Sequence, residues 1–498
     1  MEDLEQNVEE VKEEEKDETL ELVKKRIAIR NIIIVAISNI ISLAAGVLTG
    51  FLLPKIMDKV DYSSYKTFTL YTSYIGVLHF GICDGIYLKY AGSTYDELEK
   101  SKFGAFTRFF FIVETFLSVA VILAGLIFLH GVVKFTVIFV GINILAYNAT
   151  TYYELISQAT QRFKLVSLRN VIRASILILV IGILAIMYYF NDFRPSYYLY
   201  TSIFISLNIV LMLCYIITYR KITFGHFDKI KTHKTEIKGL YKVGFVLLIC
   251  NFITQVLFIV DQQFVNILFS EQDFADYAFA YSLVQLILVA INAVSVVIYP
   301  TLNKTSDENI KSNYSVLNTY LLVFMSFAVI VYYPLHWFVN FFLQNYTASL
   351  PIFRIILPGI IISSSITAIK ANIYKKLKHI GLFLIIALSM LAFSILINIV
   401  AYIMFKSMLA ISIATVITNA IWYIVTELIL IIKYKVKWVK NLVFLIILIT
   451  AYYLLYLVPN IYIAGAIYFV ILIGLVAIFF RKETKEALKV FFKRKNSQ

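Results

Sequence analysis

The residues able to do chemistry in this chain are of binding rather than reacting types. Tyr281, Gln285, Asn292, Ser295 and Tyr299 recur at spacings of four, seven, three and four, which puts them in a narrow sector of one helix face. An earlier stretch carries a second stripe of Tyr65, Thr69, Thr72, Gly76, His79, Cys83, Tyr87 and Tyr90. Asn39, Ser42, Gly46 and Gly50 share one further face, and Asn251, Gln255 and Gln262 another. Amide, hydroxyl and aromatic groups of this kind suit a polyhydroxyl ligand or the packing of helices against one another; the first reading makes Asn39, His79, Asn251, Gln255, Tyr281, Gln285 and Asn292 the candidate walls of a cavity. Lys89, Arg108, Arg162, Arg173, Lys242, Lys304 and Lys370 could bind a phosphate through charge-assisted hydrogen bonds. Each alone serves topology as readily, and Lys89, Lys242 and Lys304 are the best candidates because they flank both halves of the chain. Glu114 and Asp84 are the candidate ion-coupling acids, with a hydrogen-bonded structural carboxyl as the commoner reading of Glu114. Asp261, near an outer span end, and Glu154 and Glu427, near the inner surface, are read as peripheral. No Gly-rich phosphate loop and no metal-ligand cluster occurs, so no cofactor or metal is expected.

The elements that must hold these residues are membrane spans. At 60% hydrophobic and with a mean hydropathy of +0.81 the chain is too apolar for a water-soluble fold, and about 20 apolar residues cross a bilayer as a helix. The sequence predicts fourteen spans, at 31–53, 67–90, 104–129, 134–158, 170–190, 196–219, 242–269, 275–300, 316–343, 352–374, 380–404, 408–432, 438–458 and 460–480. Of the 45 Lys and Arg residues, all but Lys55, Lys59, Lys66, Lys134, Arg194, Arg354 and Lys406 lie on alternate connections or at the ends. Inner loops retain Lys and Arg, so both termini are expected to be cytoplasmic. The net charge of +14 therefore reads as topogenic and lipid-facing rather than as a nucleic-acid footprint. The three cysteines all fall within spans, which suggests no disulfide framework. No connection is long enough to hold a soluble catalytic domain, and no cleavable signal sequence is expected at the acidic start.

The longest basic connection, Arg220 to Lys242, divides the first twelve spans into two sets of six. A shift of 212 residues places Asn39, Ser42, Asp61 and Tyr65 on Asn251, Thr254, Asp273 and Tyr277 without a gap. Six is even, so the halves share one orientation about a pseudo-twofold axis along the membrane normal, and such repeats place a substrate site between them. The expected fold is all-α, with fourteen transmembrane helices in two six-helix lobes plus two C-terminal helices. Its parts are an acidic extension at 1–29, an N-lobe at 30–219, a cytoplasmic linker at 220–241, a C-lobe at 242–433, two further spans at 434–480 and a basic tail at 481–498. Pro334 and Pro358 interrupt spans nine and ten and are candidate kinks.

The run LLPKIMDKVDYSSYKTFTLYTSYIGVLHFGICDGIYLKYAG has Pro54 ending span one, and Asp84, Gly85, Lys89, Tyr90 and Gly92 closing span two. Its counterpart, VDQQFVNILFSEQDFADYAFAYSLVQLILVAINAVSVVIYPTLNK, has Pro300 ending span eight. Together with the duplicated halves these resemble the Wzx-type polysaccharide flippases of the multidrug/oligosaccharidyl-lipid/polysaccharide (MOP) superfamily, over about residues 30–480. The resemblance implies two lobes in a V and alternating access. It also implies a polyprenyl-pyrophosphate-linked oligosaccharide as substrate, and a groove for the lipid tail at spans thirteen and fourteen. Partners would be membrane lipids, the polysaccharide polymerase and glycosyltransferases, in the plasma membrane of a prokaryote. A multidrug extruder of the same superfamily is the alternative, although that branch usually carries a coupling acid in span one or deep in span seven. A membrane glycosyltransferase or polymer ligase would need a larger external loop, and a scaffold without transport leaves the paired polar stripes unexplained.

Overall fold

Apolar runs of this length satisfy their backbone in hydrocarbon only as helices or closed barrels, and the computed structural model is helical. It describes residues 30, 33–303, 307–377, 379–434, 439–481 and 483, with side chains outside 289–313, 315, 375, 434 and 439. In chain order the first half comprises α1 (Ile33–Ile56), α2 (Lys59–Thr72), α3 (Ile82–Tyr90), α4 (Lys100–Phe128), α5 (Gly131–Ala159), α6 (Phe163–Asn191) and α7 (Tyr197–Thr218). A connection containing the single-turn α8 (Arg220–Thr223) leads to α9 (Lys234–Leu257), α10 (Val260–Leu268), α11 (Glu271–Asn303), α12 (Asp307–Ala328), α13 (Tyr332–Phe342) and α14 (Ser349–Ser365). Then follow α15 (Ala371–Lys376), α16 (Ile380–Phe405), α17 (Met408–Tyr434), α18 (Val439–Leu454) and α19 (Ile461–Phe479). Among the described residues, 12 helices are long and apolar enough to cross a membrane. The protein is a multi-pass membrane protein of two helical lobes.

The N-lobe is built around α5, which packs on α4, α7, α2 and α3. Its interior is polar and tyrosine-rich: Asn208 donates to Asn143 at 2.9 Å, Ser118 donates to the Gly141 carbonyl at 2.7 Å, and Ser157 bonds the Tyr219 hydroxyl at 2.7 Å. Hydrogen bonds of this kind join helices where lipid supplies no hydrophobic drive. The C-lobe centres on α14 and α17, which pack on each other and on α11, α16 and α12. Here Lys370 and Glu427, both buried, pair at 2.8 Å, and Lys370 also donates to the Tyr423 carbonyl at 2.9 Å. A π-turn at Ile366–Lys370 delivers Lys370 to that partner. Helices α18 and α19 lie against α12 and α13, where the Tyr468 hydroxyl donates to the Ser326 carbonyl at 3.1 Å.

Three expected spans are not continuous helices. Span two, expected over 67–90, starts earlier at Lys59 and breaks after Thr72 into a 3-10 turn (Ile75–His79) before α3. Phe80 and Gly81 adopt φ of 49° and 89°, so the chain turns through the left-handed region there. Span seven, expected over 242–269, starts at Lys234 and is interrupted at Phe258 and Ile259. Span nine is divided by a 3-10 segment (Val329–Val331) shortly before Pro334, whose missing N–H favours a helix start. Pro358 lies inside α14. The linker expected over 220–241 already contains α8 and the first two turns of α9. Residues 1–29 and 484–498, which include the acidic extension and most of the basic tail, lie outside the described residues.

Candidate functional site

The break in span two divides its polar stripe. Before the break Tyr65 and Thr69 line the space between the lobes; His79 within it and Cys83 after it are buried, with Cys83 in the N-lobe core. A cavity of about 660 Å³ lies between the lobes, within the roughly 300–1,000 Å³ of small-ligand sites. From the N-lobe it is lined by Asn39, Ser42 and Gly46 of α1, Tyr62, Tyr65, Lys66 and Thr69 of α2, Asn170 and Arg173 of α6, and Tyr200 and Phe204 of α7. From the C-lobe come Gln262 of α10 and Tyr281, Ser282 and Gln285 of α11. Polar residues of spans one, two, seven and eight thus meet in this cavity.

Lys66 and Arg173 are the charged groups of this wall, and no Asp or Glu among the described residues lines it. Lys66 Nζ donates to Ser282 Oγ across the lobes at 2.8 Å and stands 5.3 Å from the centre of the Tyr62 ring. The Arg173 guanidinium lies 5.7 Å from the Phe204 ring and makes no ion pair among the described residues. Both cations are placed by helix backbone in the cavity wall. A phosphate or pyrophosphate is the group such donors bind best.

The lobes touch on both sides of the cavity. Toward the end of α2 that begins at Lys59, which the basic-loop pattern makes the outer end, Lys59 pairs with Asp276 at 2.7 Å. Further along α2 Asn266 Nδ2 donates to Thr67 Oγ1 at 2.7 Å, and past its other end, in the break, the Tyr74 hydroxyl donates to Gln263 at 3.2 Å. At the opposite end, which the same pattern makes the inner one, α3 and α9 meet backbone to backbone. A Cβ on Gly244 would stand 1.9 Å from the Gly81 carbonyl oxygen, and one on Gly85 would stand 2.2 Å from the Leu240 carbonyl oxygen. Beyond that contact Glu236 of α9 accepts from Lys89 at 2.5 Å, Tyr90 at 2.9 Å and Lys102 at 3.0 Å.

The structure brings together some of the sequence-predicted residues and not others. Asn39, Tyr281 and Gln285 line the cavity. His79 is buried in the break, where its Nδ1 accepts from the Gly81 N–H at 3.2 Å and its Nε2 is 3.8 Å from Asp84. Gln255 spans the seam and donates to the Ser73 carbonyl at 2.9 Å, and Asn251 is exposed outside the cavity wall. The side chain of Asn292 and all of Lys304 lie outside the described residues. Lys89 is engaged with Glu236 at the contact between α3 and α9, and Lys242 is exposed on α9. Glu114 is buried in the N-lobe, and Asp84 lies against His79.

Two residues have more prominent places than their sequence positions suggest. Lys66 falls one residue before the span expected from 67, which makes it look like a connection charge, yet it stands in the cavity wall. The signal is present: Lys66 follows Tyr62 by four and precedes Thr69 by three, one helical face continued backwards. Asp261, expected at an outer span end, is fully buried instead. Its carboxylate accepts from Tyr277 at 2.8 Å, from Tyr281, from Thr415 at 2.9 Å and from the Gln262 N–H at 2.8 Å.

Residues 28–306 match the family model described as "Polysaccharide biosynthesis protein". That is more than half of the chain. The chain belongs to this family. Its fold matches that of a lipid II flippase MurJ in an inward closed conformation, with a TM-score of 0.65 at 15% identity, covering 90% of this chain and 99% of the other. It is also similar to an inward-facing multidrug resistance MATE transporter of the MOP superfamily (TM-score 0.54, 13% identity, 78% and 93% covered). A point mutant of the Vibrio cholerae MATE transporter VcmN matches at TM-score 0.54 and 13% identity, with 80% and 94% covered. No curated protein matches the sequence. This member of the polysaccharide biosynthesis family therefore has the fold of a lipid II flippase and of MATE transporters.

Proposed function

We propose that the protein flips a polyprenyl-pyrophosphate-linked oligosaccharide from the inner to the outer leaflet for surface polysaccharide export, in the plasma membrane of a prokaryote. One observation carries the reading: among the described residues, the cavity between the lobes holds two cations and no acid among amide, hydroxyl and aromatic walls. Such a wall attracts a pyrophosphate and repels the organic cations that a multidrug extruder would take. In this reading Lys66 and Arg173 hold the phosphates, while Asn39, Tyr281, Gln262 and Gln285 face the sugars and the lipid tail stays in the bilayer. Lys242 is a cation on the inner approach, and Lys89 serves the inner contact through Glu236. The protein has fourteen spans, the broken span two and α11 adding to the 12 long helices, with both termini cytoplasmic. The glycosyltransferases and polymerase of the same polymer are its working neighbours.

The test replaces both cavity cations, as K66Q with R173Q, in cells that depend on the chain for a surface polymer. Export falls at least about tenfold and lipid-linked repeat units accumulate inside, while the protein still inserts, because each phosphate-bound cation lost costs about 1.5–3 kcal/mol. Unchanged export with both cations gone removes the cavity from the mechanism.

A further inference from the structure

Glu114 is the mid-point of the 29-residue α4, roughly 21 Å from either end at about 1.5 Å per residue, and therefore at mid-membrane depth. It is 1% exposed. One carboxyl oxygen, Oε2, accepts from Asn148 Nδ2 of α5 at 2.8 Å; the other, Oε1, has no partner among the described residues, and neither does Asn148 Oδ1. The same Asn148 Nδ2 donates to the carbonyl of Ile75 at 3.3 Å. Ile75 opens the 3-10 turn in the break of span two. One amide group therefore ties the buried carboxyl to the segment that joins the outer contact (α2) to the inner contact (α3).

Among the described residues no counter-charge pairs with Glu114. Its neighbours are Cys83 of α3 and Tyr241 of α9; Cys83 in turn neighbours Asp84 and Tyr152 of α5, and Asp84 lies 3.8 Å from His79 of the 3-10 turn. Other elements packed on α4 reach it only near its inner end: α8 sets Lys221 beside Lys100, and the His233 ring stands 6.0 Å from that of Phe106, eight residues from Glu114. Arg108 on the same helix lies over the Phe227 ring at 5.0 Å. A carboxylate here would be desolvated with one shared donor to offset the loss, whereas a neutral carboxyl leaves only one polar atom without a partner.

We propose that Glu114 is the proton-binding site of this transporter, and that its proton is linked through Asn148 and the break in span two to the contact between the lobes. With the lobes in contact the carboxyl holds its proton on Oε1. Gly81, the last residue of the break, is pressed against Gly244 and Phe245 of the other lobe. Parting the inner contact releases the break and lets water reach the carboxyl; the proton passes to that water and the carboxylate is solvated. Proton release thus favours separated lobes and proton uptake favours closure, whatever the transported molecule.

The experiment uses the full chain in nanodiscs with no substrate, on a Cys214→Ser background. Spectroscopic labels go on Leu88 and Thr235, exposed residues that flank the inner contact on opposite lobes. In the wild type the ratio of separated to closed forms should rise with pH, by up to about tenfold per unit for one linked proton. E114Q, a neutral isostere, should stay closed with a flat pH response, and E114D should restore the slope. Infrared difference spectra should show a protonated carboxyl band that E114Q removes. A wild-type distance that ignores pH, an E114Q response with the wild-type slope, or a missing carboxyl band each overturns the proposal. The readouts need no flipped lipid, so they can fail or succeed independently of the flippase reading.

Discussion

A side chain at Gly244 should wedge the inner contact open. A Cβ there would stand 1.9 Å from the Gly81 carbonyl oxygen and 2.4 Å from the Gly85 nitrogen, against an ordinary contact of 3.4 Å, so α9 must retreat by roughly the 1.5 Å difference. Both obstacles are backbone, and no rotamer change relieves them. Overpacking of this kind costs about 1–3 kcal/mol. The lobes can escape that cost by parting, so it falls on the conformational equilibrium rather than on the fold. A shift of that size lowers the closed population by roughly 5- to 150-fold, with Gly244→Ala toward the lower end and Gly244→Val toward the upper. The assay is the distance between labels on Leu88 and Thr235 in nanodiscs, with export measured in cells alongside. Gly239, five residues earlier on the same helix, is the control, because a Cβ there would meet nothing within 4 Å. If G244V keeps the wild-type distance, or if G239A opens the contact as far as G244V does, close backbone packing does not set the inner closure.

Glu236 holds Lys89 and Lys102 from a half-buried position. E236Q should therefore weaken closure by only about 0.5–1 kcal/mol, a roughly two- to fivefold rise in the separated form by the same distance measurement, and added salt should mimic part of it. Lys370 and Glu427 are both buried and pair at 2.8 Å. K370M should cost about 3–5 kcal/mol by leaving a lone buried carboxylate, read as a lowered thermal midpoint in detergent. The double variant K370M/E427L should recover most of that loss, and a double variant as unstable as K370M alone would show that packing, not charge, is at fault.

The helical class and the two lobes were legible because hydrocarbon forces helices and leaves hydropathy as a direct record of them. The interruptions were not. Nothing in the Ser73–Gly81 stretch departs from the composition of a span, and the turn at Phe80 and Gly81 depends on contact with Gly244 and Phe245 of the other lobe. The cavity set suffered the same way. His79 shares a helical phase with Tyr65 and Thr69, but the break rotates it into a buried position. Lys89 has the charge for a phosphate site, yet the residue that claims it, Glu236, lies 147 positions away. Periodicity assigns faces within one unbroken helix; partners across a lobe seam lie beyond its reach.

The 212-residue correspondence read from the sequence makes those interruptions informative. Shifted by 212, the break of span two at 73–81 falls on 285–293, inside the continuous α11, while the break of span seven at Phe258 and Ile259 falls on Gly46 and Val47, inside the continuous α1. Each half thus breaks the span that the other keeps whole, and the two breaks face each other. Gln255, one turn before the break of span seven, donates to the carbonyl of Ser73, the first residue past α2, and the Tyr74 and Phe252 rings lie 6.3 Å apart. A carbonyl released by a helix break in a membrane needs a partner from protein or from water. In the closed arrangement the opposite lobe provides it. Separation of the lobes removes Gln255 from Ser73, which leaves two ways to satisfy the carbonyl: water entering the cavity, or the helix winding through the break. Either one ties the shape of span two to the distance between the lobes, so a change within the N-lobe that reaches the break is felt at this seam.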